Sequence, residues 1–252
     1  MNRLIFVEGL PGTGKTTISQ WLFNLLQASG KPTVLLLEFD EKSPSNFCHM
    51  AGIPKDIFNS LYTEKIKTVY KETNNFIYLK IDKCPENIQQ ELKRWDIGDE
   101  FNTLLSLHEY IKCTLEWWQN WVNDNKNLSV TVLDSAFLQN PINEMIFRKA
   151  SNADVKSYIS AIADILVPFS PLCIYLRRNN AEESINFAKA AKGLRWAAGI
   201  DGLKDIGCAD LFERRFVLEY ELLSTMEHLV CEINGHDWTE AKAKIHDYFK
   251  LE

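Results

Sequence analysis

Short apolar runs alternate with longer amphipathic stretches along most of the chain. The apolar runs cover residues 4–7, 34–37, 130–133, 172–176 and 229–233. Runs that are apolar throughout, rather than at every second position, are typical of strands covered on both faces of a sheet. The pattern therefore predicts an α/β fold with a five-stranded parallel sheet and crossover helices.

Helical stretches lie between these runs, and several carry recognisable ends. A helix is predicted over residues 15–29, where apolar residues recur at helical spacing before a glycine. Ser151 with Asp154, and Asp237 with Glu240, each pair an acceptor side chain with an acidic residue three positions on. Both pairs predict the first turn of a helix.

The longest interval between two predicted strands spans residues 41–128. We expect one domain over residues 1–252, with this interval as a helical insertion over the carboxyl ends of the strands, where α/β sheets bind ligands. Its last helix is predicted from about residue 99 to 123. The insertion would hold the acceptor, and its aromatic residues fit either a stacking wall for a flat ring or a helical core. They are Phe47, Phe58, Tyr62, Tyr70, Phe76, Tyr78, Trp95, Phe101, Tyr110, Trp117, Trp118 and Trp121.

Composition and charge indicate a globular protein and argue against two classes, non-specific nucleic-acid-binding proteins and membrane-spanning proteins. The chain has 252 residues, of which 46% are hydrophobic and 25% charged, with a formal net charge of −6. That balance is ordinary for a globular protein and argues against non-specific nucleic-acid binding. No apolar run is long enough to cross a membrane, and the six cysteines include no C-x-x-C pair. We therefore expect a cytoplasmic protein with reduced thiols, whose oligomeric state, a homodimer included, stays open.

The decisive motif follows the first apolar run and precedes the first predicted helix. It matches G-x-x-x-x-G-K-T, the pattern of a phosphate-binding loop in its required strand–helix frame. Backbone N–H groups of such a loop and the helix N-terminus bind phosphates, and the lysine reaches the β- and γ-phosphates. The sequence thus predicts ATP binding by Gly9, Leu10, Pro11, Gly12, Thr13, Gly14, Lys15, Thr16 and Thr17.

A magnesium site is predicted beside this loop. The Thr16 hydroxyl would ligate Mg²⁺, and Asp134, at the end of the third predicted strand, would supply a second contact. Many ATPases that hydrolyse ATP have a Glu directly after this Asp, whereas this chain has Ser135. The difference favours transfer of the phosphoryl group to a substrate over hydrolysis.

Transfer to a hydroxyl requires a base and a cation near the γ-phosphate. Glu38 and Asp40 follow the second predicted strand at a spacing that would let both face one cavity, and either could be the base or a polar strand end. Residues 178–205 form a basic, lid-like segment in which Lys189, Lys192 and Arg195 fall near one helical face. Arg195 is the predicted catalytic cation, because a guanidinium can bridge two oxygens, and a solvated basic face is the alternative.

These motifs resemble those of kinases. Residues 6–17, FVEGLPGTGKTT, are similar to the opening of thymidylate kinases, and residues 173–177, CIYLR, resemble the fourth strand of the nucleoside and nucleotide kinase group. Glu38 to Asp40 lie where deoxynucleoside kinases have a Glu, and some antibiotic phosphotransferases an Asp, as the base. Asp134 lies where those families have an acidic residue.

The resemblance implies a three-layer P-loop NTPase fold with strand order 2-3-1-4-5. It also implies an ATP- and Mg²⁺-dependent phosphotransferase with catalytic Lys15 and a small-molecule acceptor, a nucleoside or nucleotide being favoured. Pro11 replaces an Asp of thymidylate kinases and Ser135 replaces a family Arg, so the acceptor contacts differ. The alternatives are a kinase that modifies an antibiotic or sugar, and a nucleotide-dependent regulatory NTPase.

Overall fold

A twisted parallel sheet is the centre of the molecule. The computed structural model describes residues 3–62, 66, 69–99, 103–127 and 129–250. Its strands are β1 (Leu4–Glu8), β2 (Thr33–Leu36), β3 (Met50–Pro54), β4 (Lys71–Glu72), β5 (Phe76–Lys80), β6 (Val130–Asp134), β7 (Leu172–Arg177) and β8 (Glu227–Glu232). The described helices are α1 (Lys15–Ala28), α2 (Lys55–Leu61), α3 (Glu86–Leu92), α4 (Leu107–Asp124), α5 (Gln139–Phe147), α6 (Asn152–Leu166), α7 (Ala181–Lys192), α8 (Leu194–Asp201), α9 (Leu211–Leu222) and α10 (Thr239–Phe249).

The five strands predicted from the apolar runs form one parallel sheet, so the α/β prediction is confirmed. Their order is β2-β6-β1-β7-β8, which is 2-3-1-4-5 when only the predicted strands are numbered. Phe6 of β1 lies opposite Leu133 of β6 on one side and Cys173 of β7 on the other. The carboxyl ends of β1 and β6 are therefore neighbours, and the segments that follow them meet at one edge.

Helices cover both faces of the sheet. Ile5 and Val7 pack with Ile18 of α1 and Ile245 of α10 on one face. Phe6 packs on the opposite face, in the larger core that includes residues of α4, α5, α6 and α9. Successive side chains of a strand point to opposite faces, so both faces of β1 are buried, as its continuous apolar run predicts.

The insertion is only partly helical, which corrects the prediction. Within residues 41–128 the described part contains α2, α3 and α4 but also an antiparallel sheet in the order β3-β5-β4. α4 begins at Leu107, later than predicted, because Ser106 and Glu109 form a capping box there. The sequence did not predict the strands of this antiparallel sheet. β4 has only two residues, and β3 contains a glycine and a proline, which weaken a strand pattern.

The structure also gives the outcome for two predicted helix starts and one predicted strand end. Ser151 and Asp154 form the predicted capping box of α6. α10 instead begins at Thr239, and the Asp237 carboxylate accepts a hydrogen bond from the Thr239 N–H at 2.8 Å. β2 ends at Leu36, one residue earlier than the apolar run. Among the helices of the described residues, none has the length and apolar character needed to cross a membrane.

Candidate functional site

The glycine-rich segment forms a tight loop between β1 and α1. Gly9, Gly12 and Gly14 have φ values of 138°, 86° and 92°, in the region that other residues rarely adopt. Gly14 is the N-cap residue of α1, which begins at Lys15. The loop therefore lies at a helix N-terminus, where free N–H groups and the helix dipole favour an anion.

Two of these glycines are also required by close packing. A Cβ atom on Gly12 would lie 2.3 Å from the Ser184 carbonyl oxygen. On Gly14 it would lie 2.2 Å from the indole nitrogen of Trp238. Both distances are far below van der Waals contact, so the loop and the segments around it fit only without side chains at these positions.

The glycine-rich loop is held by side chains that lie far away in the sequence. Arg178 is buried, and its Nη2 donates to the Gly12 carbonyl at 3.0 Å and to the Gly235 carbonyl at 2.8 Å. Its guanidinium lies 3.7 Å from the centre of the Phe187 ring. The Trp238 indole N–H donates to the Thr13 carbonyl at 2.9 Å. The sequence predicted Arg178 as part of a basic lid, but it stabilises the loop instead.

Lys15 is buried at the base of the loop. Its Nζ donates to the Leu10 carbonyl at 3.2 Å. Burial lowers the pKa of the Lys15 ammonium, and the nearby Asp134 carboxylate opposes that shift. A second anion, such as a phosphate group, would compensate further for the burial of the ammonium.

The two predicted magnesium ligands are in direct contact. The Thr16 hydroxyl donates to Asp134 Oδ2 at 2.6 Å, and the Ser135 hydroxyl donates to Asp134 Oδ1 at 2.8 Å. Ser135 has a φ of 64°, so the chain turns sharply after β6. Within the described residues, no three His, Cys, Asp or Glu side chains form a metal-binding group. A hydroxyl with one carboxylate fits Mg²⁺, which takes few protein ligands and completes its shell with water and phosphate oxygens.

The two candidate bases differ in what their carboxylates do. Both follow the end of β2 in a turn rather than lying on the strand, yet both border one depression, so the predicted shared cavity is present without the predicted strand spacing. Asp40 Oδ1 accepts a hydrogen bond from the Lys42 N–H at 2.8 Å and so stabilises that turn. Glu38 lies in the cleft beside Lys15, and its Oε1 accepts a hydrogen bond from Gln139 Nε2 at 2.5 Å.

A buried carboxyl that the sequence did not assign to the site lies below the loop. Glu8 accepts hydrogen bonds from the Phe137 N–H at 2.6 Å and the Gln139 N–H at 3.1 Å. Loss of hydration raises the pKa of Glu8 to about 7, the nearby Glu219 adds to the rise, and the two N–H donors oppose it. Glu8 thus fixes the segment after β6, which carries Gln139. Nothing in the local sequence distinguishes Glu8 from a polar residue that ends an apolar run.

A cleft of about 320 Å³ joins these groups. Its lining includes Lys15, Thr16, Glu38, Ser135 and Gln139, and its far wall is built by Phe187, Ala191, Lys192, His236 and Trp238. Asp40 and Asp134 border an adjoining depression that shares Thr16 and Glu38 with the cleft. The structure therefore brings together Lys15, Thr16, Glu38 and Asp134, as the sequence predicted.

The lid residues are only partly in place. Lys192 lines both the cleft and a neighbouring depression, and the exposed Arg195 borders that second depression with Trp196. Lys189 forms an ion pair with Asp201 at 2.5 Å. In this arrangement of α7 and α8 the cleft lining thus includes Lys192 but neither Lys189 nor Arg195.

The aromatic residues of the insertion serve mainly as core. Phe101 lies outside the described residues. Tyr70 is 51% exposed, and Trp117 and Trp121 are partly buried. The others are buried: Phe47, Phe58, Tyr62, Phe76, Tyr78, Trp95, Tyr110 and Trp118. In the described part of the insertion, no residue borders the cleft that contains Lys15 and Glu38.

Long-range contacts hold the residues of the site together. The loop, the Thr16–Asp134 pair and Glu38 are held by contacts from β6, α5, β7 and the segment before α10. No family model matches the chain, and no curated protein matches it.

Proposed function

We propose that the chain is an ATP- and Mg²⁺-dependent phosphotransferase with a P-loop NTPase fold. It would move the γ-phosphoryl group to a hydroxyl or phosphate of a small molecule, a nucleoside- or nucleotide-like acceptor being favoured. The observation that carries the proposal is the glycine loop at the N-terminus of α1, with Lys15 and the Thr16–Asp134 pair beside it.

The loop supplies what a triphosphate needs. In the proposed complex, N–H groups of residues 9–17 other than Pro11, which has none, bind the β- and γ-phosphates, and Lys15 turns from the Leu10 carbonyl towards them. Thr16 and Asp134 would hold Mg²⁺, which neutralises charge on the phosphates. The Thr16–Asp134 hydrogen bond at 2.6 Å supports this role, because both oxygens already lie within reach of one ion.

Glu38 is the better candidate for the base. Its carboxylate lies in the cleft and is oriented by Gln139, whereas the Asp40 carboxylate is engaged in the turn that it stabilises. The residue after Asp134 is a serine whose hydroxyl is bonded to that aspartate, so no carboxylate stands there to activate water. These contacts favour transfer to a bound acceptor over hydrolysis.

The cation over the γ-phosphoryl group is assigned to the α7–α8 segment. Lys192 lines the cleft and is the nearer candidate. Arg195 stays a prediction that requires α8 to move, as lids do when a substrate closes the site.

The proposal is tested by measuring Mg²⁺-dependent ATP consumption with nucleosides, nucleotides, sugars and aminoglycosides as acceptors. We expect turnover only when an acceptor is present, and a loss of about a hundredfold or more for Lys15→Ala. Lys112→Ala is the matched control, because Lys112 is an exposed lysine of α4. Turnover that survives Lys15→Ala would refute the assignment. Hydrolysis independent of any acceptor would favour a regulatory NTPase.

A further inference from the structure

A second pocket, of about 520 Å³, lies between the edge strand β2 and the C-terminal half of α4. Its lining includes Val34 and Leu36 of β2, Tyr70, and Trp117 and Trp121 of α4. The volume is within the range of pockets that bind small molecules, and the lining combines apolar and aromatic side chains with seven polar or charged residues.

The aromatic wall of this pocket presents ring faces rather than polar edges. The Trp117 indole N–H donates to the Pro44 carbonyl at 3.1 Å, and the Trp121 indole N–H donates to the Lys42 carbonyl at 3.3 Å. Tyr70 is stacked on Trp117, with ring centres 6.1 Å apart and an angle of 24° between the planes. The indole donors are thus satisfied by the backbone. Trp117 also packs on the Tyr78 ring, with ring centres 5.0 Å apart, so a ligand would stack on the part of the aromatic wall that borders the pocket.

The polar groups around the pocket favour hydrogen-bond donors on a ligand. The side-chain N–H groups of Asn120 and Asn125 donate to backbone carbonyls of their own helix, at 2.8 Å and 2.7 Å. Across the described residues the Oδ1 atoms of these two amides receive no hydrogen bond, so they remain acceptors. Lys71 is neutralised by Asp124 at 2.5 Å, and the neighbours Glu41 and Lys42 carry opposite charges. The lining as a whole is close to neutral.

This pocket is distinct from the phosphate cleft. The two share no lining residue. Val34 and Leu36 alternate along β2 with Leu35, which borders the depression next to Asp40. Alternate residues of a strand point to opposite faces, so the pocket and that depression lie on opposite faces of the edge strand.

From these contacts we propose that the pocket binds a flat heteroaromatic amine. The ring would lie between the indole faces of α4 and the aliphatic side chains of β2, and its N–H groups would donate to the amide oxygens of Asn120 and Asn125. A sugar, which also donates hydrogen bonds, would leave the aliphatic wall formed by Val34 and Leu36 without a matching surface.

Calorimetric and NMR titrations of the full chain with 2-aminobenzimidazole test the proposal. A ligand of about ten non-hydrogen atoms is expected to bind with a dissociation constant of about 1 mM or tighter. 1-Methylbenzimidazole has the same flat ring system without N–H donors and should bind about tenfold more weakly. Glucose is the probe for the sugar alternative and should not bind.

Matched variants locate the binding site. Val34→Phe places a ring in the pocket and should weaken binding of 2-aminobenzimidazole about tenfold or more. Val217→Phe, at an exposed valine of α9, should leave binding unchanged, as should Lys15→Ala in the phosphate cleft. The unfolding midpoint of each variant shows whether that variant is folded. The comparison of the two benzimidazoles uses the unsubstituted protein, so it stands even if a variant does not fold.

Four results would each overturn the proposal. They are equal binding of the methylated probe, tighter binding of glucose, loss of binding in Lys15→Ala, and the absence of saturable binding up to about 10 mM. Unchanged binding in a folded Val34→Phe variant would also contradict it.

Discussion

Glu8→Gln tests the charge state of the buried carboxyl below the phosphate loop. Burial raises the pKa of Glu8 from 4.5 to about 7, so the folded protein keeps a proton that the unfolded chain loses near pH 4.5. Between these two values the folded state binds more protons, and the free energy of unfolding therefore falls as the pH rises. The difference between the two pKa values of Glu8 corresponds to about 3 kcal/mol in the free energy of unfolding. This contribution is fully present below pH 4.5 and is lost as the pH rises past 7.

The glutamine cannot ionise, so the variant loses this pH dependence. Glu8 now accepts hydrogen bonds from the N–H groups of Phe137 and Gln139. In the variant the glutamine NH₂ would face one of these N–H donors, so one of the two hydrogen bonds would be lost. We expect the lost hydrogen bond to make the variant about 1 kcal/mol less stable than the natural protein at low pH. At pH 8 the variant should instead be more stable by about 2 kcal/mol, because the natural protein then contains a buried charge.

Urea unfolding of both proteins, in small steps from about pH 4.5 to 8, gives this difference directly. Titration of the remaining groups is common to both proteins and cancels in the difference. Gln20→Ala, at an exposed and non-titrating position of α1, is the control and should give a difference that does not change with pH. A constant difference for Glu8→Gln as well would mean that Glu8 ionises in the folded protein as it does in the unfolded chain.

Four further substitutions test the loop and the base. Gly12→Ala should lower the free energy of unfolding by about 2 kcal/mol in thermal denaturation, because φ is 86° and the new Cβ would lie 2.3 Å from the Ser184 carbonyl; an unchanged midpoint would contradict this. Arg178→Lys should weaken ATP binding about tenfold by calorimetry, since an ammonium cannot reproduce both carbonyl contacts and the ring stacking. Glu38→Gln should lower kcat about a hundredfold and Asp40→Asn less than about threefold; equal losses would refute the assignment of the base.

The parallel sheet could be predicted because its signal is local. Strands buried on both faces are apolar at every position, and all five such runs became strands. The glycine-rich loop between β1 and α1 was equally visible, since its glycine spacing and flanking elements lie within one short segment, and its role in phosphate binding stays a prediction. Asp134 could be paired with Thr16 because parallel strands end at a common edge.

What the sequence did not predict depends on contacts between distant segments. The side chains of Glu38 and Gln139 meet across 101 positions, and Arg178 meets Gly12 across 166. Local patterns place Arg178 among the basic residues of a lid, and only the packed structure gives it carbonyl partners. The small antiparallel sheet was missed for a different reason, because strands as short as β4 leave no periodic signal.

The contacts of Arg178 and Trp238 with the phosphate loop have a consequence for synthesis of the protein. The loop is synthesised before the groups that hold the carbonyls of Gly12 and Thr13, which follow about 165 to 225 residues later. A nascent chain therefore does not have both contacts until Trp238 has emerged from the ribosome. Until then the loop depends on its own backbone and on the hydrophobic core for its conformation.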